Sequence, residues 1–311
     1  MVIDLHCDTF LRLMEGKNGS DLYENNLNVD IKKLIKGKSL AQFFAMWLDL
    51  KNDSNPLETC LKMIDKFYME LDKNSNYISL ATNYEDIMRN KNEGKISALL
   101  TIEEGGAIKG GLHNLRNFYR LGVRGITLTW NRVNEIGYPN SKEEYRNKGL
   151  RDFGKELVYE MNRLGMLIDV SHLSDEGFYD VARLSSKPFI ASHSNSRTIK
   201  DHFRNLTDDM IRVLSDKGGV IGICFERDFL GDSENARIED IVKHIKHIRN
   251  IGGIDVIAIG SDYDGCNPNG EIDNIGEIGR LLDALKANKF SDDEIDKIFY
   301  KNALRVIKEV L

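Results

Sequence analysis

Two hydrophobic patterns alternate along this chain. Short apolar runs rich in β-branched and aromatic residues recur. Between them lie stretches whose apolar positions return every three or four residues. The short runs predict eight strands, at 2–5, 40–48, 96–102, 125–129, 166–170, 188–191, 219–224 and 256–259. The longer period predicts helices at 57–72, 84–92, 112–120, 150–164, 175–184, 208–216 and 238–250, with two more at 275–287 and 292–309. Helix starts carry their usual signals. Ser291 opens a capping box with Glu294, and Ser174 and Thr207 precede acidic first turns. Continuous apolar strands separated by helices imply a parallel sheet covered on both faces. Eight such units predict an α/β fold of TIM type, a (β/α)8 barrel occupying residues 1–311 as a single domain. Two long polar loops, 16–38 and 131–147, each follow a strand. They are therefore expected at the C-terminal face of the barrel, where such folds assemble active sites.

Composition narrows the function by exclusion. The net charge of the 311 residues is −6, with Lys and Arg spread throughout. No concentrated basic face is implied, which argues against nucleic acid as a partner. The four cysteines, Cys7, Cys60, Cys224 and Cys266, form no CxxC pair. A reducing cytoplasm is the expected location. The start, MVIDLHCDTF, has no basic segment followed by an apolar one, and no run is long enough to span a bilayer. No membrane association is expected.

The chemistry sits where the predicted strands end. The first strand runs into His6-Cys7-Asp8, and residues two apart on a strand point to the same side, so His6 and Asp8 project together. The third runs into Glu103-Glu104-Gly105-Gly106, the fifth into His172, the sixth into His193, and the eighth into Asp262-Tyr263-Asp264. Any one of these has a structural explanation on its own. Gathered at one rim from five strands, they are ligand chemistry for zinc or a similar divalent ion. They exceed what one catalytic zinc needs and suit two, with a carboxylate shared between them. The remaining histidines are expected to be bland: His244 and His247 on a solvated helix face, His113 at a helix start, His202 in a loop.

Several segments resemble the renal, or membrane, dipeptidase family of zinc peptidases in the amidohydrolase superfamily. They are DLHCDT, EEGG, LGVRGITLTWN, LIDVSHLSD, PFIASHSNSR, HFRNLTDD and IGSDYDG, and their order and spacing cover nearly the whole chain. The resemblance implies a distorted (β/α)8 barrel with two Zn2+ ions, other divalent metals being compatible. It implies that His6, Asp8 and a bridging Glu104 hold one ion and that His172 and His193 share Glu104 for the other. Glu104 is chosen over Glu103 because the family carboxylate directly precedes the Gly-Gly pair. Arg204 matches an arginine that grips the substrate's C-terminal carboxylate, and Asp262 matches the acid/base residue, with Asp264 as the alternative. The implied reaction is hydrolysis of dipeptides, L–D dipeptides included, by a hydroxide bridging two zinc ions. The implied assembly is a homodimer.

One departure stands out. Where better-known members carry a histidine after LTLT, this chain has Trp130, whose indole donates but cannot shuttle a proton. Oxyanion stabilisation then falls on the metal or on Asn131. Two rival functions remain: another amidohydrolase acting on N-acyl amino acids or lactones, and a non-catalytic ligand-binding barrel. Many amidohydrolases of the first kind carry His-x-His on the first strand and a lysine after the fourth. This chain has His-x-Asp and no lysine in GITLTWN.

Overall fold

The computed structural model describes residues 1–16, 21–266 and 270–311. Every expected strand forms, with ends shifted by a few residues. The strands are β1 (Val2–Asp4), β2 (Ser39–Trp47), β3 (Ile78–Leu80), β4 (Ile96–Glu103), β5 (Val123–Thr127), β6 (Leu167–Asp169), β7 (Ile190–Ser194), β8 (Val220–Ile223) and β9 (Ile257–Ile259). All pairings are parallel. β2 lies along β4 from Ala41↔Ser97 to Trp47↔Glu103, and β1 joins β9 through Asp4↔Ile259. These contacts close a ring of eight strands in the order β1-β2-β4-β5-β6-β7-β8-β9. The unexpected strand, β3, pairs with β4 outside that ring. Its three residues, ISL, are too short a run to register as a strand in the sequence.

Side chains on the strands divide between two cores. Ile96, Ala98, Leu100 and Ile102 of β4 face outward into a large core shared with the surrounding helices. Leu99 faces inward with Ile3, Leu5, Phe43, Leu167 and Ile190, filling the barrel. This is the period-two alternation of a strand, with both faces buried. The helix Asn302–Val310 contributes Ala303, Val306, Ile307 and Val310 to the inner core and closes the bottom of the barrel. The opposite, C-terminal end stays open for a site.

The helices Pro56–Lys73, Tyr84–Asn92, Leu112–Arg120, Asp152–Leu164, Asp175–Leu184, Asp208–Asp216 and Ile238–Gly252 match the amphipathic stretches. The capping box at Ser291 and Glu294 forms, but the last predicted helix is divided by a π-turn at Lys297–Lys301. The first long loop is less irregular than its composition suggests. It includes the helix Ile31–Lys36, whose start is capped by the Asp30 carboxylate accepting the Lys33 N–H. Residues 17–20 of that loop lie outside the described residues. No helix among the described residues is long and apolar enough to cross a membrane. His244 corrects the expectation of a solvated face. It is fully buried, its Nδ1 accepting the Ser196 N–H at 3.1 Å and its Nε2 lying 3.0 Å from the Leu230 carbonyl. His247 is half-buried against Asp208, 2.7 Å away.

Candidate metal centre and substrate cleft

Each side chain at the barrel mouth is placed by the end of a strand. β1 delivers His6, and the chain then turns directly into the helix Thr9–Glu15 with Asp8 at its N-cap position. An aspartate there ordinarily accepts a backbone N–H of the first turn. Asp8 makes no such bond, and its Oδ2 lies 3.4 Å from His6 Nε2 instead. β6 leads through Asp169 to His172, whose backbone adopts φ +67. β7 carries His193 at a register shift between Ala191 and Ser194. Gly260, directly after β9, allows that irregularity, since a Cβ there would lie 1.7 Å from the Ser192 carbonyl oxygen. Left-handed backbone at Glu104, His172, Asp262 and Asp264 concentrates on this one rim, as strain often does at functional sites.

The structure places Glu103, and not the expected Glu104, among the clustered donors. β4 runs on through Glu103, which shares the inward face with Leu99 and Thr101. Its Oε2 lies 3.1 Å from His6 Nε2, while its Oε1 lies 3.0 Å from His172 Nε2 and 3.5 Å from His193 Nε2. Glu104, one residue on, turns away from this cluster. Its Oε1 accepts the Gly106 N–H at 2.7 Å and the Asn134 amide at 2.5 Å, and its Oε2 accepts the Trp130 N–H at 3.0 Å. Glu104 therefore ties the β4 and β5 exit loops together and offers the metal cluster nothing. The period-two alternation in ISALLTIE already set Glu103 apart from Ile102, and reading the strand one residue further would have found it.

Two other assignments change. Asp264 is spent on structure: its Oδ2 accepts the Thr9 hydroxyl at 2.6 Å and its Oδ1 the Asn28 N–H at 2.7 Å. It anchors the first loop and lies outside the cleft wall. Asn131 also lies outside that wall, with its Oδ1 3.4 Å from His172 Nδ1, where it orients the imidazole.

The donor set fits a divalent metal. His6, Glu103 and His193 bring ligand atoms within 4.8 Å of one another, and so do His6, Asp8 and Asp262. His6 Nε2 and Asp8 Oδ1 are buried without a hydrogen-bond partner, which is costly unless something else fills that role. Gly265 keeps the space open, because a Cβ there would lie 2.0 Å from Asp8 Oδ2 and 2.6 Å from Asp262 Oδ1. Behind the ligands stands a supporting network. Ser192 Oγ lies 2.8 Å from His193 Nδ1 and donates to Asp169 Oδ2 at 2.5 Å. Such partners fix the tautomer and orientation of a ligating imidazole.

Sequence reasoning missed both Asp169 and its counterpart Asp4. Asp4 holds Ser261 through its N–H at 2.8 Å and its hydroxyl at 2.7 Å. Their signal was faint: a lone aspartate in an apolar strand run.

The electrostatics follow from burial and crowding. Burial would raise the pKa of Glu103, but His6 and hydrogen bonds from His172 and His193 outweigh it, holding the carboxyl well below its usual range. Burial would lower His6, but Glu103 and Asp8 outweigh it and push the imidazole up. Burial and then Glu103 push Asp8 up to about 6. His172 is driven down to about 4 by burial and by Arg204, keeping it neutral and able to ligate.

Above the cluster opens a cleft of about 240 Å³. Trp47, Trp130, Arg204, Phe229 and Asp262 are among its walls. Arg204 is buried, its Nη2 donating to the His193 carbonyl at 3.1 Å, while its Nε and Nη1 have no partner. Its guanidinium lies 5.3 Å from the centre of the Phe229 ring. Asp262 Oδ1 is 3.7 Å from His6 Nε2, and the Cys224 thiol faces its Oδ2 at 3.7 Å. Burial raises the Asp262 pKa well above the carboxylate range, against an opposing pull from His6. His202 is not among the cleft-lining side chains. It stacks on Phe229, with 4.6 Å between ring centres.

A model of the membrane dipeptidase family, peptidase family M19, matches residues 1–311. An uncharacterized dipeptidase of Schizosaccharomyces pombe is 31% identical over 99% of this chain and 80% of its own length. An uncharacterized protein encoded in the pqqA 5′ region of Klebsiella pneumoniae is 34% identical over 75% of this chain and 89% of its own length. Among solved structures, the dipeptidase AC, a metallopeptidase of family M19, superimposes with a TM-score of 0.90 at 25% identity, covering 99% of this chain and 98% of its own. A metallopeptidase from Rhodobacter sphaeroides, liganded with a phosphinate mimic of the dipeptide L-Ala-D-Ala, shares the fold at TM-score 0.90 and 23% identity, covering 100% of this chain and 99% of that one. The barrel, the histidine and carboxylate cluster at its mouth and the full-length family match agree, and the chain belongs to the membrane dipeptidase family of metal-dependent peptidases.

Proposed function

We propose that this chain hydrolyses dipeptides with two divalent metal ions held side by side at the barrel mouth. The observation that carries this reading is the orientation of Glu103. One carboxylate oxygen faces His6, beside Asp8, and the other faces His172 and His193. A carboxylate so placed would be available to both donor sets. Imidazole and carboxylate donors suit zinc, and they also suit cobalt or manganese. Bound there, the metal supplies Lewis acidity, polarising a peptide carbonyl and making water nucleophilic at neutral pH.

The remaining roles belong to the chain itself. Arg204 presents two unpartnered donors from a buried position, a planar fork suited to a carboxylate. It selects a substrate whose free C-terminus lies one residue beyond the scissile bond. Asp262 borders the same cleft, and its raised pKa favours holding a proton, as delivery to a leaving amine requires. Ser192 and Asp169 hold His193 in place, and Asn131 holds His172. The four free thiols fit a reducing cytoplasm.

The test is to purify the protein, count bound metal and assay L–L and L–D dipeptides beside N-acyl amino acids and lactones. The solved relative that binds an L-Ala-D-Ala mimic makes the L–D series a necessary part of the panel. Metal-loaded protein that turns over other substrates and leaves every dipeptide intact overturns the proposal.

A further inference from the structure

The cleft has two unlike ends, and the ring order of the strands sets them opposite each other. Trp47 ends β2 and Trp130 follows β5, so the two flank β4. Arg204 follows β7 and Phe229 follows β8. In a closed ring of eight, β4 and β8 stand diametrically across the mouth. A substrate whose carboxylate rests on Arg204 and whose scissile bond lies over the metal cluster therefore points its N-terminal residue at the two tryptophans.

Those tryptophans form a closed wall with no slot in it. Their rings meet edge to face, with centres 4.7 Å apart and planes at 87°. No gap between them admits a third ring. The Trp130 main chain is anchored, because its backbone N–H donates to Glu104, which is itself buried and bonded to Gly106 and Asn134, while the ring packs against Trp47. The space left is small. At about 240 Å³ the cleft lies below the roughly 300–1,000 Å³ of ordinary small-molecule clefts. A cleft of that size, walled by two large rings, favours small side chains over an aromatic one.

We infer that Trp47 and Trp130 are specificity-determining residues that restrict this enzyme to dipeptides with a small N-terminal residue. The inference rests on the dipeptidase reading above and adds to it the substrate class.

Metal-loaded enzyme would be assayed on Gly-Ala, Ala-Ala, Leu-Ala and Phe-Ala, with Ala-Phe as the C-terminal control. The expected result is a kcat/KM for Ala-Ala at least tenfold above that for Phe-Ala. Trp130→Ala should shrink that ratio at least tenfold while the Ala-Ala to Ala-Phe ratio stays within threefold. A merely structural defect would lower all substrates together and leave both ratios in place. Trp47→Ala should act in the same direction, and Trp130→Phe, the milder change, gives an intermediate ratio if the alanine variant does not fold. Wild-type enzyme that cleaves Phe-Ala as well as Ala-Ala overturns the inference, as does a Phe-Ala to Ala-Ala ratio that neither tryptophan substitution moves. Failure to cleave any dipeptide overturns the dipeptidase reading itself, and this inference with it.

Discussion

Exchanging Glu103 and Glu104 separately for glutamine distinguishes a shared metal ligand from a loop clamp one residue away. Glu103→Gln keeps the shape but removes the charge, and a single amide oxygen cannot serve both His6 at 3.1 Å and His172 at 3.0 Å. A charge-assisted contact is worth about 1.5–3 kcal/mol, so losing one on each donor set weakens metal binding by on the order of 10²–10⁴-fold in total. Glu104→Gln does something different. The glutamine oxygen can still accept from Gly106 and Asn134, but its amide then faces the Trp130 N–H, donor to donor. That costs about 1–3 kcal/mol of stability and lowers Tm by roughly 2–5 °C, with metal affinity changed by no more than a few-fold. Competition with a chromogenic chelator reads the first effect, and thermal unfolding of metal-loaded protein reads the second. If Glu104→Gln sheds metal while Glu103→Gln retains it, the assignment made from the strand alternation is wrong.

Three further predictions follow from single contacts. Arg204→Lys replaces a two-pronged grip by a point charge, so kcat/KM for dipeptides should fall by on the order of 10–100-fold, mainly in KM; steady-state kinetics with KM unchanged would refute the role of Arg204. Ser192→Ala cuts the link between Asp169 and His193, and metal affinity measured by chelator competition should drop by about 10–100-fold; unaltered affinity refutes it. His244 is depressed by burial to about 4, so the unfolded chain takes up its proton near 6.5 while the native chain refuses it. Stability that is full above pH 6.5 is therefore lost as pH falls toward 4, by about 3 kcal/mol from this group. Urea unfolding at pH 7 and pH 5 should show a smaller acid loss in His244→Gln than in the parent, and an identical loss in both would refute the sign.

The barrel was legible because each strand is buried on both faces and reads as an unbroken apolar run, a pattern that survives errors of a few residues at its ends. The metal cluster was legible for a related reason: in a parallel barrel every strand exit shares one rim, so His6, His172 and His193 could be gathered without knowing any distance. Orientation within the rim was harder. Glu103 and Glu104 differ only in strand phase, and the neighbouring glycines drew the choice to the wrong one. Asp262 and Asp264 are also two apart, but both adopt left-handed backbone, so the strand rule that paired His6 with Asp8 does not apply to them. His244 reads as solvated because its helix neighbours are charged, yet the face it occupies carries Ile241, Ile245 and Ile248 into the core. Which residues stand across the mouth from which followed from the order of the eight predicted strands. That depends on β3 lying outside the ring, where it lets β2 pair with β4 directly. Counting β3 as a ninth member of the ring would separate Trp47 from Trp130 by one more strand. Because sequence periodicity passes over β3 and counts eight strands, it already sets Trp47 and Trp130 on either side of one strand, and only the contact between their rings, with centres 4.7 Å apart, had to come from the structure.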